Sequence, residues 1–180
     1  APPISHRLNL TATLGGIQAG SFNCYFVAGN LNALPASKRK LPLLKEYHEA
    51  LAQFQDEVEG MDLSRTVGGF AILMGAQLSL GPIAESWWIF RANAHATAGF
   101  DLMLSQMECV GYGEIGIHGW YLQGQAYAAL SGGVDIHVDL FFHNGWYNIF
   151  SLSAAALLQV QLPGPTWMKA NVAGRYSILG

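Results

Sequence analysis

The sequence predicts a mainly β protein: long antiparallel strands forming a curved sheet, a sandwich or an open barrel, with one amphipathic helix at about 42–59. Three observations predict it. Side chains alternate with a period of two along nearly every long segment. The connections, such as "SGG" at Ser131–Gly133, "HNGW" at His143–Trp146 and "LPGP" at Leu162–Pro165, are short and rich in Gly or Pro, as tight antiparallel turns require. Only one segment has a helical period, so a parallel sheet would lack its crossover helices.

The elements follow in order. His6, Leu8, Leu10, Ala12 and Leu14 alternate with Arg7, Asn9, Thr11 and Thr13; Gly15 and Gly16 turn the chain, and a second run, Ile17 to Ala28, keeps Phe22, Cys24 and Phe26 in register. Together they read as a hairpin. From Pro42 to Glu59, Leu44, Tyr47, Leu51, Phe54 and Val58 recur at three- and four-residue steps, with Pro42 suited to the first turn and Gly60 to the cap. Its polar side is acidic, which suits a helix laid on an apolar sheet face better than one lying on a membrane surface. Period two returns at Val67, and "GPIAES" (Gly81–Ser86) reads as a bend. The stretch from Trp88 to Phe100 sets alternate alanines against Arg91, Asn93, His95 and Thr97. Further strands are expected at about 114–131, 133–142, 146–162 and Trp167–Leu179. Rows of Ala and Gly on the presumed inner side would allow a second layer to approach closely.

Composition narrows the function. At 180 residues the chain suits a single β-rich domain spanning residues 1–180. Apolar residues make up 51% and charged residues 12%, against the roughly 25% charged that is usual for soluble domains, so much oily surface needs cover. A net charge of −3 and one short basic run, Ser37–Lys40, argue against nucleic acid as a partner. No apolar run is long enough for a transmembrane helix. The chain starts "APPISHRLNL" and stops at "RYSILG", the pattern expected of a processed chain or a portion of a much larger one.

Candidate chemistry is sparse. Asp135, His137 and Asp139 share one side of a strand and could ligate a cation; the simpler expectation is a solvated row, with Val134, Ile136, Val138 and Leu140 buried behind it. "GYGEIG" (Gly111–Gly116) has the spacing of a dinucleotide loop but precedes a β-patterned run instead of a helix, so a turn is expected and no cofactor is predicted. Cys24 and Cys109 could form one disulfide in an oxidising compartment. The aromatic pairs Trp87–Trp88 and Trp120–Tyr121 should each send one ring inside and one outside, making Trp87, Trp120 and Tyr121 candidates for a contact surface.

Two stretches, "GFDLMLSQMECVGYGEIGIHGWYLQGQAYAALSGGVDIHV" (Gly99–Val138) and "AAALLQVQLPGPTWMKANVAGRYSILG" (Ala154–Gly180), resemble TANFOR-domain proteins, a family of very large secreted or envelope bacterial proteins. Gly164 and Ser177 stand where the family pattern has Asn. The resemblance is strong after Phe100 and weak before Val67. It implies a bacterial, secreted or cell-envelope setting, the C-terminal portion of a larger chain, and no catalytic residues to carry over.

The expected function is therefore a non-catalytic structural or assembly domain of a cell-surface complex, with other protein subunits or the rest of a larger chain as partners. A β groove carrying a lipid or other hydrophobic ligand is the alternative, and an Asp-His-Asp metal site the third. The first two share one expectation, against which the third stands: the oily rows are lined up inside and the acidic and imidazole groups sit in water.

Overall fold

The computed structural model describes residues 4–14, 17–30, 70–106, 116–140, 143–163 and 166–179. These form one open antiparallel sheet of seven strands: β1 (Ile4–Leu14), β2 (Ile17–Asn30), β3 (Phe70–Trp87), β4 (Phe90–Gln106), β5 (Trp120–Leu140), β6 (His143–Leu162) and β7 (Trp167–Ile178). Spatial order equals chain order, so each strand pairs with its sequence neighbours, and β1 and β7 are the two edges. The expected helix at 42–59 lies outside the described residues. No described helix is long and apolar enough to cross a membrane.

The strands are longer than the sequence pattern suggested, because three expected breaks are absorbed into the ladder. At Gly81–Ser86 the register shifts between Leu80 and Ile83, and β3 then continues to Trp87 as a bulged strand, where a bend was expected. At Ser131–Gly133 nothing turns: Gly132 pairs with Ala94 and Gly133 with Asn93, so the runs 114–131 and 133–142 join into β5. Likewise His143–Trp146 is the first part of β6, paired with Leu140 back to His137.

The two ends of the sheet differ. At one end, two residues separate β1 from β2, β3 from β4, and β5 from β6. In the middle turn Trp88 takes φ 56°, the left-handed region that a tight hairpin demands, and both Trp87 and Trp88 are over 80% or nearly so in contact with solvent (80% and 87%). The expected inside-and-outside split of this pair fails because the pleat stops at Trp87. At the opposite end the connections run through residues 31–69, 107–119 and 163–166.

Burial reverses the expectation drawn from composition. The covered face carries Tyr25, Gln77, Thr97, Asp101, Ser105, Gln125 and Tyr127 among Ala71, Leu73, Met103 and Leu157, while Phe26, Met74, Leu78, Leu80, Phe100, Leu130, Leu152 and Leu158 stand exposed on the other face. The described residues form a single layer, and the alanine-rich row faces outward. The reason is register. Every strand contributes one polar row and one apolar row, and the ladder stacks like on like across all seven strands.

Candidate functional site

The polar face is built from transverse rows. Arg7, Tyr25, Gly75, Asp101, Gln125, Gln159 and Lys169 occupy consecutive cross-strand positions from β1 to β7. Asp101 is fully buried at the centre (0% exposed). The Tyr25 hydroxyl donates to its Oδ1 at 2.7 Å, and Gln125 Nε2 donates to its Oδ2 at 2.8 Å. Tyr25 reaches Asp101 from two strands away because Gly75 lies between them: a Cβ there would overlap the Tyr25 ring and fall 2.5 Å from Asp101 Oδ1. The Tyr127 ring covers Gly99 on β4 in the same way.

Electrostatics follow from this packing. Burial raises the Asp101 carboxyl above the usual carboxylate range, and the hydrogen bonds from Gln125 and Tyr25 offset only part of that rise. Burial likewise pushes the Tyr25 phenol well up, with the charge of Asp101 adding to it, and raises Tyr127 by the same two causes. Beside this cluster Gln77 Nε2 donates to Ser79 Oγ and Thr97 Oγ1, both at 3.3 Å, and Thr97 Oγ1 donates to the Leu78 carbonyl at 3.2 Å. Toward the end with the longer connections, the Tyr121 hydroxyl donates to Gln161 Oε1 at 2.7 Å, and Trp167 Nε1 donates to the same oxygen.

At the tight-turn end sits the trio singled out by sequence. Asp135 is buried, contrary to the solvated row expected, because Arg91 neutralises it: Nε and Nη2 donate to Oδ2 at 3.1 and 2.8 Å, and Asn148 Nδ2 donates to Oδ1 at 2.9 Å. The Asn148 bond, then Arg91, hold its carboxyl below the ordinary value. Arg91 also lies 4.8 Å from the centre of the Trp146 ring, which packs against His137 at 5.0 Å. His137 Nε2 is 3.1 Å from Asn144 Oδ1, and Asn144 Nδ2 donates to Asp139 Oδ1 at 3.3 Å. The trio is thus divided between two neighbours, Arg91 and Asn144, and no group of three metal-ligating side chains converges among the described residues. Val134, Ile136 and Val138 are only half-buried, which corrects the row expected behind it.

Tyr121 is buried on the polar face, Trp120 half-buried on the apolar one, and Trp87 exposed at the tight-turn end. Cys24 is half-buried on the apolar face, and Cys109 lies outside the described residues, as does the glycine run up to Ile115.

The apolar face is nearly free of charge. Leu10, Phe22, Leu78, Ala98, Ala128, Ala156 and Val172 follow one another across the sheet, and the rows above and below repeat the pattern. Its one acidic side chain among the described residues is Glu85, beside the tight-turn end, and no Lys or Arg of the described strands lies on it; His6 on the edge strand, Cys24, Tyr147 and Tyr176 are neutral or weakly ionising groups on the same face. An open cleft of about 390 Å³ crosses it, floored by Ala96, Ala98, Ala128, Ala154 and Ala156 and flanked by Leu78, Leu80, Leu130 and Val172. Of its aromatic residues, Phe70 and Trp120 lie at one end and Trp87, Phe90, Tyr147 and Phe150 at the other, with Phe22, Phe26 and Phe100 between them.

Sequence reasoning missed Asp101, Tyr25, Gln125 and Arg91. The available signal was the constancy of the polar row, which carries Tyr, Gln or Asp in strand after strand while the opposite row never carries a charge inside its central span. No family model, curated protein or solved structure matches the chain.

Proposed function

We propose that this chain is a non-catalytic structural element of the bacterial cell envelope: a wall segment of a membrane-embedded β-barrel, its apolar face against lipid and its polar face toward the interior. One observation carries the reading. Asp101 and Ser105 are fully buried and Gln125 nearly so, in company with Met103 and Leu157, while many more Leu, Phe and Met side chains worth about 1.5–3 kcal/mol each on burial are left outside on the other face. In water that arrangement wastes the main driving force for folding; in a bilayer it is the required one.

Dimensions agree. From Ala94 to Leu104 the apolar row of β4 rises roughly 33 Å at about 3.3 Å per residue. At the ~40° tilt of membrane strands this spans about 25 Å of height, the thickness of the apolar band of such barrels. Phe70 and Trp120 at one end and Trp87, Phe90, Tyr147 and Phe150 at the other stand where interfacial girdles belong, with Phe22, Phe26 and Phe100 in the band between them, and the asymmetry between two-residue turns and longer connections matches the two sides of an outer membrane. The envelope setting is the one implied by the resemblance to TANFOR-domain proteins.

The test is vesicle flotation. Protein refolded into phosphatidylcholine–phosphatidylglycerol vesicles should float with the lipid and stay there after alkaline extraction. Release as a water-soluble monomer would overturn the reading.

A second reading, a carrier of lipid or another hydrophobic ligand, is favoured by the alanine-floored cleft. It expects a protein that stays in solution without detergent and holds lipid at a fixed molar ratio by mass spectrometry.

A further inference from the structure

We infer that the edges β1 and β7 are docking surfaces for an odd number of further strands, antiparallel to both edges, that lie outside this sequence and alternate apolar and polar side chains as its own strands do. Every neighbouring pair in the sheet is antiparallel, and the strands number seven, so β1 and β7 run in the same direction. Any strand that continues the antiparallel pattern beyond β7 therefore also runs opposite to β1. Direct closure of β7 on β1 would create a parallel seam. So would a ring of copies inserted the same way, because each β7 would meet the β1 of the next. An odd number of intervening strands removes the seam and brings the total to the even count typical of bacterial barrels.

Two features of the edges say that something covers them. Both the apolar row and the polar row run to the edge without fading: Leu8 and Leu10 on β1 are about half exposed, and Met168, Val172 and Tyr176 on β7 are among the most exposed large apolar side chains. And among the described residues neither edge has a second strand partner, leaving rows of backbone N–H and C=O groups bare. The inference rests on the membrane reading for the severity of a bare edge, since lipid offers these groups no partner. It rests on strand parity alone for the orientation of what docks.

The experiment uses the full chain in its native membranes. Met168 and Tyr176, near opposite ends of β7, are replaced one at a time by photoreactive benzoylphenylalanine, and crosslinked peptides are sequenced by mass spectrometry. The expected result is that both positions capture one strand in reverse order, its sequence alternating apolar and polar and lying outside residues 1–180; a matching substitution at Leu8 should likewise capture a strand from outside. Capture in the same order, capture of residues 4–14 from this or a second copy, capture of any other part of this chain, or the absence of a protein adduct would overturn it. Flotation of the same sample separates the two claims: a chain that floats but crosslinks in parallel order keeps the membrane reading and loses this one. A chain that fails to float loses the membrane reading, while the crosslink order still reports on parity.

Discussion

The two faces of the sheet use the same backbone to opposite ends. On the polar face, side chains reach across strands: Tyr25 spans Gly75 to reach Asp101, Gln125 closes on the same carboxylate, and Arg91 and Asn148 hold Asp135. On the apolar face, large side chains such as Leu78, Phe100 and Leu158 stand largely uncovered, and Leu130 is half exposed. The polar face therefore carries the fold's internal specificity, and the apolar face carries its choice of solvent. Changes on the first should be felt through packing and pH. Changes on the second should be felt only if the surrounding medium is lipid.

The largest expected effect separates the media. Ala128→Arg, mid-row on the apolar face, should cost about 2–4 kcal/mol in urea unfolding from vesicles, whereas an exposed alanine in water tolerates the change within about 0.5 kcal/mol. A near-neutral result would remove the contrast between the faces. Next comes packing on the polar face. Gly75→Ala should lose about 1–3 kcal/mol, because its Cβ cannot fit beside Tyr25 and Asp101. Gly174→Ala on β7, whose nearest neighbour atom would be 3.6 Å away, serves as the matched control and should stay within about 0.5 kcal/mol.

The pH dependence sharpens the comparison within the polar face, because its two buried carboxylates shift in opposite directions. Asp101 is raised by burial, so the folded state binds the extra proton, and stability falls as pH climbs from about 4 toward the raised value. Asp101→Asn should remove that slope, gaining on the wild type by up to about 1.4 kcal/mol for each pH unit crossed. The Gln125 amide can turn to accept from the new Asn, since its Oε1 has no partner now. Asp135 is lowered, so its contribution is present above the unfolded value near 3.9 and is lost as pH falls through the depressed one. Arg91→Ala should flatten that acid limb, by less than about 1 kcal/mol because the Arg91 side chain is 41% exposed. Unfolding midpoints at pH 3, 5, 7 and 9 read both effects.

Much of the fold was legible, since period two is a local property: β1, β2 and β7, and the end of β6 at Leu162, follow from alternation and from turn residues. The long β5 was not, because Ser131-Gly132-Gly133 has the composition of a turn and becomes strand only through its partners Ala94 and Asn93. The face that is covered was misassigned for a physical reason. Alternation fixes which residues lie together but carries no sign; assigning the oily row to the inside assumes water outside. Asp101 and Tyr25 are 76 residues apart in sequence, and only register through β3 unites them. The trio Asp135, His137 and Asp139 was visible as a row, yet its partners Arg91 and Asn148 belong to neighbouring strands.

The most direct test of the central claim is a cysteine scan of β5 from Leu122 to Val134, with Cys24 and Cys109 replaced by serine and a fluorophore attached at each position in turn. In vesicles with brominated acyl chains, the account predicts quenching at even positions such as Ala126, Ala128 and Leu130, and none at Gln125, Tyr127 and Ala129. A flat profile, or quenching at the odd positions, would contradict it.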